Sequence, residues 1–75
     1  MNKIRYKGYE IEAKPYKTDD SNEWRSDLII SKEIASREFY PKDILKTEEE
    51  ALKFCFDLGV RIIDGEVEDY SVDDL

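Results

Sequence analysis

The chain predicts an α+β fold, an antiparallel sheet of three to four strands with one C-terminal helix packed on one face, in the order β-β-β-β-α. Three observations carry this. Residues 47–65 have helical periodicity with both ends marked, residues 3–13 pair as a hairpin in one register, and residues 24–32 alternate like a half-buried strand. A length of 75 residues suits one domain with a small core. The expected division is a domain over residues 1–65 and an acidic C-terminal tail over residues 66–75.

The hairpin turns on Lys7-Gly8, which sets Tyr6 opposite Tyr9, Arg5 opposite Glu10, Ile4 opposite Ile11 and Lys3 opposite Glu12. One register therefore gathers the apolar residues on one face and opposite-charge pairs on the other, each pair worth about 0.2–1 kcal/mol. Lys-Gly is a weaker turn signal than Asn-Gly, which leaves a bulged turn as the alternative. Pro15 should end the second strand or place it at an edge, since it cannot donate to a ladder. Residues 17–23 contain no apolar side chain and read as an exposed loop.

In the third strand Trp24, Leu28 and Ile30 point one way, and Ile29 is left on the outer face among Arg25, Asp27 and Ser31. Ala35-Ser36 is the expected next turn, followed by a short fourth strand, Glu38-Phe39-Tyr40, cut off by Pro41. The helix begins at a capping box, Thr47 with Glu50, and has Glu48 and Glu49 in its first turn, where the helix dipole favours them. Ala51, Phe54, Cys55, Leu58 and Ile62 form its buried stripe, and Gly65 stands where a left-handed stop belongs. These residues should meet Ile4, Tyr6, Tyr9, Ile11, Trp24, Leu28, Ile30 and Phe39. Gly59 inside the helix costs about 1 kcal/mol against alanine and points to a close approach, with Trp24 the expected neighbour.

The net charge is −7, and residues 66–75 carry five of these negative charges, so the rest of the chain is close to neutral. Neither part has the clustered Lys and Arg that phosphate contacts require, and nucleic acid is not an expected partner. The chain shows no signal-peptide-like run at its start and no stretch of about 18 apolar residues, so the expected location is cytoplasmic, with no membrane partner. The single cysteine, Cys55, reads as a buried core thiol.

The sequence contains no histidine, which removes the commonest general base, the Ser-His and Cys-His arrangements, and zinc sites built from Cys and His. Asp19-Asp20 and Asp73-Asp74 are neighbours in flexible segments and do not make a preorganised metal site. Asp64 reads as a helix-end residue bonding backbone, and no glycine pattern matches a phosphate loop. The aromatic residues could form a stacking platform for bases, but their alternation places Tyr6, Tyr9 and Trp24 under the helix. The reading is of no enzyme, no cofactor, no metal and no small-molecule substrate.

Tyr6-Lys7-Gly8-Tyr9-Glu10-Ile11 with Pro15, Glu23-Trp24-Arg25, Ile30-Ser31-Lys32-Glu33, and the helix closing at Ile62-Ile63-Asp64-Gly65 resemble small stand-alone bacterial proteins of uncharacterised function. The order of motifs is also similar to that of HlyU-type transcriptional activators, over residues 6–65, with departures in the loop at 17–22 and in the tail. The resemblance implies a common fold and, as an alternative function, a transcriptional regulator acting on DNA or on a DNA-bound repressor.

The leading functional expectation is a non-enzymatic interaction or accessory module that binds a protein partner or self-associates. The candidate partner-binding residues are Tyr16 and Ile29 on the outer face and Tyr70, Val72 and Leu75 in the tail. Two readings of the tail stand side by side. Val67 and Tyr70 pack back on the helix end while the rest frays, or Tyr70, Val72 and Leu75 anchor on a partner while the acidic residues steer the encounter.

Overall fold

A computed structural model describes residues 2–19 and 21–75. Strands β1 (Lys3–Tyr6), β2 (Tyr9–Lys17), β3 (Trp24–Lys32) and β4 (Ala35–Phe39) form one antiparallel sheet in the order β1-β2-β3-β4, and helix α1 (Glu48–Ile63) follows. This is the small α+β architecture the alternation predicts. The first hairpin has the expected register, with Lys3 opposite Glu12, Ile4 opposite Ile11, Arg5 opposite Glu10 and Tyr6 opposite Tyr9. Its turn needs no bulge, because Lys7 and Gly8 both take positive φ, 51° and 85°, the pattern of a type I′ turn. The ion pair within reach is the diagonal one, Lys3 Nζ to Glu10 Oε1 at 3.8 Å.

Two strands, β2 and β4, differ in extent from the sequence reading, and β4 ends at Phe39, one residue before the expected Tyr40. β2 runs through Pro15, which pairs with Ser26. The Ala13 N–H, pointing toward β1, donates to the Asn2 carbonyl at 2.8 Å, and β1 has no strand residue beyond that point. Two residues on, the Pro15 nitrogen points the same way, toward a side with no strand to receive a hydrogen bond, so the missing donor costs nothing. β4 starts at Ala35 rather than Glu38, because the turn falls on Glu33-Ile34, with Glu33 at φ 58°, and not on Ala35-Ser36. Beyond β4 the sheet edge is continued by a single bridge in which Trp24 and Leu45 exchange backbone hydrogen bonds of 2.8 and 2.9 Å.

The helix ends where its caps predict. The Thr47 hydroxyl accepts from the Glu50 N–H at 3.1 Å, while the Glu50 carboxylate reaches past Thr47 to the Lys46 N–H at 3.2 Å. At the far end Glu66 N–H donates to Arg61 C=O at 2.9 Å and Gly65 N–H to Ile62 C=O at 3.1 Å, a Schellman motif made possible by Gly65 at φ 77°.

The helix lies over β2 and β3 and buries Ala51, Cys55, Leu58, Gly59 and Ile62 against Ile11, Ala13, Leu28 and Ile30. This centring corrects several expected core members. Tyr6, Tyr9 and Trp24 are only half-buried and Ile4 is exposed, because β1 and the first residues of β2 and β3 lie at the margin of the helix footprint. It also corrects the neighbour of Gly59. A Cβ at that position would stand 2.7 and 2.8 Å from the Ile11 Cγ2 and Cδ1 methyls, so a central β2 isoleucine, and not Trp24, fills the gap that glycine leaves.

Residues 66–75 do not stop at the helix end. Val72 is buried at 2% exposure in the same core, while Val67, Tyr70 and Leu75 pack around it. The Tyr70 ring meets Phe39 of β4 edge to face, with centroids 5.1 Å apart. The segment covers the β4 side of the sheet, and the boundary drawn after residue 65 does not divide the packing.

Two substitutions test this packing by urea denaturation. Gly59→Ala should destabilise by about 1–3 kcal/mol despite alanine's better helix propensity, because the fully buried Ile11 must shift to admit the new methyl, and Ile11→Val should recover part of the loss in the double variant. Val72→Ala should cost roughly 1–3 kcal/mol, whereas an effect below about 0.5 kcal/mol would mean that Val72 does not contribute to the core.

Candidate interaction surface

With the helix and residues 66–75 on one side, the other side of the sheet carries no second layer among the described residues. Strand alternation and the observed registers set its side chains in rows. Arg5, Glu10, Ser31 and Ser36 form one row, Lys3, Glu12, Ile29 and Glu38 the next, then Lys14 beside Asp27, and Tyr16 beside Arg25. Four cations and four anions alternate across this face, and Ile29 stands near its centre between Glu12 and Glu38. Tyr16 is 47% exposed and Tyr40, just past β4, is 59% exposed.

The lower part of the face is the most structured. Lys14, Tyr16, Asp27 and Glu38 line a shallow depression of about 470 Å³ that continues around the β2 edge to Asn2, Ala13, Pro15 and Glu48 of the helix. The Tyr40 hydroxyl donates to Glu38 Oε2 at 3.0 Å, and that hydrogen bond together with burial raises the Tyr40 phenol above its ordinary value. Burial pushes the Asp27 carboxyl up, against the opposing pull of Arg25. The Arg25 Nη2 donates to the Pro41 carbonyl at 3.3 Å, which ties the segment after β4 back to β3.

The structure thus brings Tyr16 and Ile29 together on one face, as expected, and adds Arg25 and Tyr40, which the sequence reading did not single out as partner-binding. The signal for Tyr40 was available in the alternation that buries Phe39, because the next residue must then point outward. Tyr70, Val72 and Leu75 lie on the opposite side of the sheet. Val72 is a core residue and presents no surface, Tyr70 is half-buried on Phe39, and Leu75 packs against the core with its N–H on the Val72 carbonyl at 3.0 Å. The five expected partner-binding residues therefore do not form one site.

Two clasps on the helix side hold the flanks that the helix leaves open. At the β1 side Asp64 accepts from Lys7 Nζ at 2.8 Å, and the Tyr6 hydroxyl lies 2.9 and 3.0 Å from its two oxygens. Asp64 bonds side chains of the first hairpin, not backbone as its position at the helix end suggested. At the β4 side Arg37 forms a two-pronged pair with Asp74, both contacts 2.8 Å, and donates to the Ser71 carbonyl at 2.9 Å. The Lys7 and Tyr6 hydrogen bonds hold the Asp64 carboxyl below its usual value, and the Arg37 hydrogen bonds do the same for Asp74.

Cys55 is fully buried, its thiol donating to the Asp27 carbonyl at 3.3 Å, and desolvation lifts its pKa to about 11. No group of three or more metal-binding side chains is present among the described residues, and Asp20 of the Asp19-Asp20 pair lies outside them. No helix among the described residues is long and apolar enough to cross a membrane. No family model, curated protein or solved structure matches the chain.

Because Asp64 and Asp74 are more acidic folded than unfolded, their stabilisation is complete above an unfolded carboxylate value of about 4 and is lost as the pH falls below it. The Asp64→Asn, Asp74→Asn double variant should be less stable than wild type at pH 7 and should lose less stability between about pH 5 and pH 2.5 in denaturant titrations. Thiol labelling of Cys55 at pH 8 should be slower by at least about a hundredfold in the native protein than in urea, and equal rates would show the thiol to be accessible.

Proposed function

We propose that this chain is a non-enzymatic protein-interaction module that works in the cytoplasm and engages its partner through the open sheet face. The single observation that carries the reading is the asymmetry of the two layers. The helix and the C-terminal segment cover one face and fill the core, while the other face presents Tyr16 and Tyr40 exposed and Arg25 and Ile29 half-buried, with no further layer over them among the described residues. Tyrosine and arginine around an aliphatic centre is the composition enriched in protein interface cores.

A transcriptional role of the HlyU type is the second reading, supported by the order of motifs over residues 6–65. The alternating charges of the open face favour contact with a DNA-bound protein over direct contact with phosphates, for which a single-sign stripe is the usual requirement.

The primary test is affinity capture with the wild-type chain and with a Tyr16→Ala, Tyr40→Ala double variant. The reading requires a partner that the wild type retains and the double variant loses, with the helical circular dichroism signal unchanged. A partner retained equally by both would move the binding site elsewhere. Direct DNA affinity should be weaker than about 1 μM at physiological salt, and a tighter, sequence-specific complex that survives competitor DNA would put the HlyU-type reading first.

A further inference from the structure

The open face is its own electrostatic complement, and we propose that the partner it accepts is a second copy of this chain, docked face to face about a two-fold axis that runs parallel to the strands between β2 and β3. The inference rests on the interaction reading above and names its partner. Such an axis keeps each row and exchanges the columns, so β1 lies over the partner's β4 and β2 over the partner's β3. Lys3 then faces the partner's Glu38, Lys14 faces the partner's Asp27, and Tyr16 faces the partner's Arg25, each contact occurring twice. Glu12 faces the partner's Ile29, Glu10 the partner's Ser31 and Arg5 the partner's Ser36, so no two like charges meet.

The other in-plane two-fold axis, perpendicular to the strands, keeps the columns and reverses the rows. It pairs Glu12 with the partner's Lys14 but leaves Asp27 against the partner's Ile29 and Arg25 against the partner's Ser31. The axis along the strands therefore matches more of the charged groups. It also suits aligned packing of two sheets, whose strands cross at only about 30°.

The net charge of −7 would oppose dimerisation if it were spread evenly. It is not. The open face carries equal numbers of cations and anions, and the five carboxylates of residues 66–75 belong to the helix-side layer. The domain is 16 Å through its thinnest dimension, beyond the Debye length of about 8 Å at physiological salt, so the acidic segments of two face-to-face copies repel only weakly. Four strands about 4.8 Å apart and up to about 30 Å long give a contact near the lower limit for a specific interface, which predicts a reversible dimer with a Kd on the order of 10–100 μM.

Sedimentation equilibrium of the full chain tests this with a charge-swap design. Wild type should dimerise in that range. Lys14→Glu sets Glu against the partner's Asp27, and Asp27→Lys sets Lys against the partner's Lys14, so each alone should weaken the dimer at least about tenfold. An equimolar mixture of the two should restore it as a mixed dimer, because each Glu at position 14 then faces a Lys at position 27 and the wild-type pair is kept on the other side. Tyr16→Arg, which leaves the Lys14 and Asp27 pair intact, should weaken the dimer by opposing the partner's Arg25. A wild type that stays monomeric up to about 1 mM, a dimer indifferent to all three substitutions, or a mixture no tighter than its components would overturn the proposal. If the wild type is monomeric yet capture of another protein still depends on Tyr16 and Tyr40, the self-association fails while the interaction reading stands.

Discussion

One helix cannot cover a four-stranded sheet. α1 has 16 residues and is about 24 Å long and about 10 Å across, enough to span two strands, and it centres on β2 and β3. The central contact, Gly59 against the Ile11 methyls, sets how closely the two layers approach. Everything at the margins follows from that placement. The β1 flank is held by a carboxylate at the helix end gripping Tyr6 and Lys7, and the β4 flank by a chain segment that brings Val72 and Tyr70 onto Phe39. The domain completes its core with Val72 of the acidic segment that follows the helix.

That segment combines two kinds of interaction of unequal weight. Its carboxylates are mostly solvated, and even the two-pronged pair of Arg37 with Asp74 is exposed on both sides, where ion pairs contribute little. Val72 is different, because removing a branched aliphatic side chain from water is the larger and less salt-sensitive effect. The charges of residues 66–75 thus orient and solubilise a strap whose hold is apolar. Composition alone reads such a segment as a tail, since one buried valine is outweighed in any average by five acidic neighbours.

The uncovered face is the other consequence of having a single helix. Its charges alternate in sign across the strands, with Lys3 and Glu10 within ion-pair range, which keeps the face soluble without giving it a dominant sign. The sheet edges are guarded as well. Lys3 and Arg5 direct their backbone groups outward from β1, Pro15 lies where β2 loses its neighbour, and β4 is only five residues long. Edge pairing is thereby discouraged, while the broad face, with Ile29 and two exposed tyrosines, is left available.

The local elements were legible in the amino-acid sequence because their determinants are local. The hairpin register needed only the coincidence of apolar and charge pairs across Lys7-Gly8, and the helix ends needed only Thr47, Glu50 and Gly65, whose hydrogen bonds close within a few residues. The span of β3 followed from strict alternation, and Ile29 on the outer face came with it. What the tertiary structure decided was every contact whose partners are distant in the chain. These are Ile11 rather than Trp24 beneath Gly59, the strand continuing through Pro15 because β1 ends there, Asp64 reaching Tyr6 and Lys7, and Val72 entering the core through the gap beside the helix. Each depends on where one helix comes to rest over a sheet wider than itself, and the position of that helix is set by packing across the layers, which no pattern along the chain encodes.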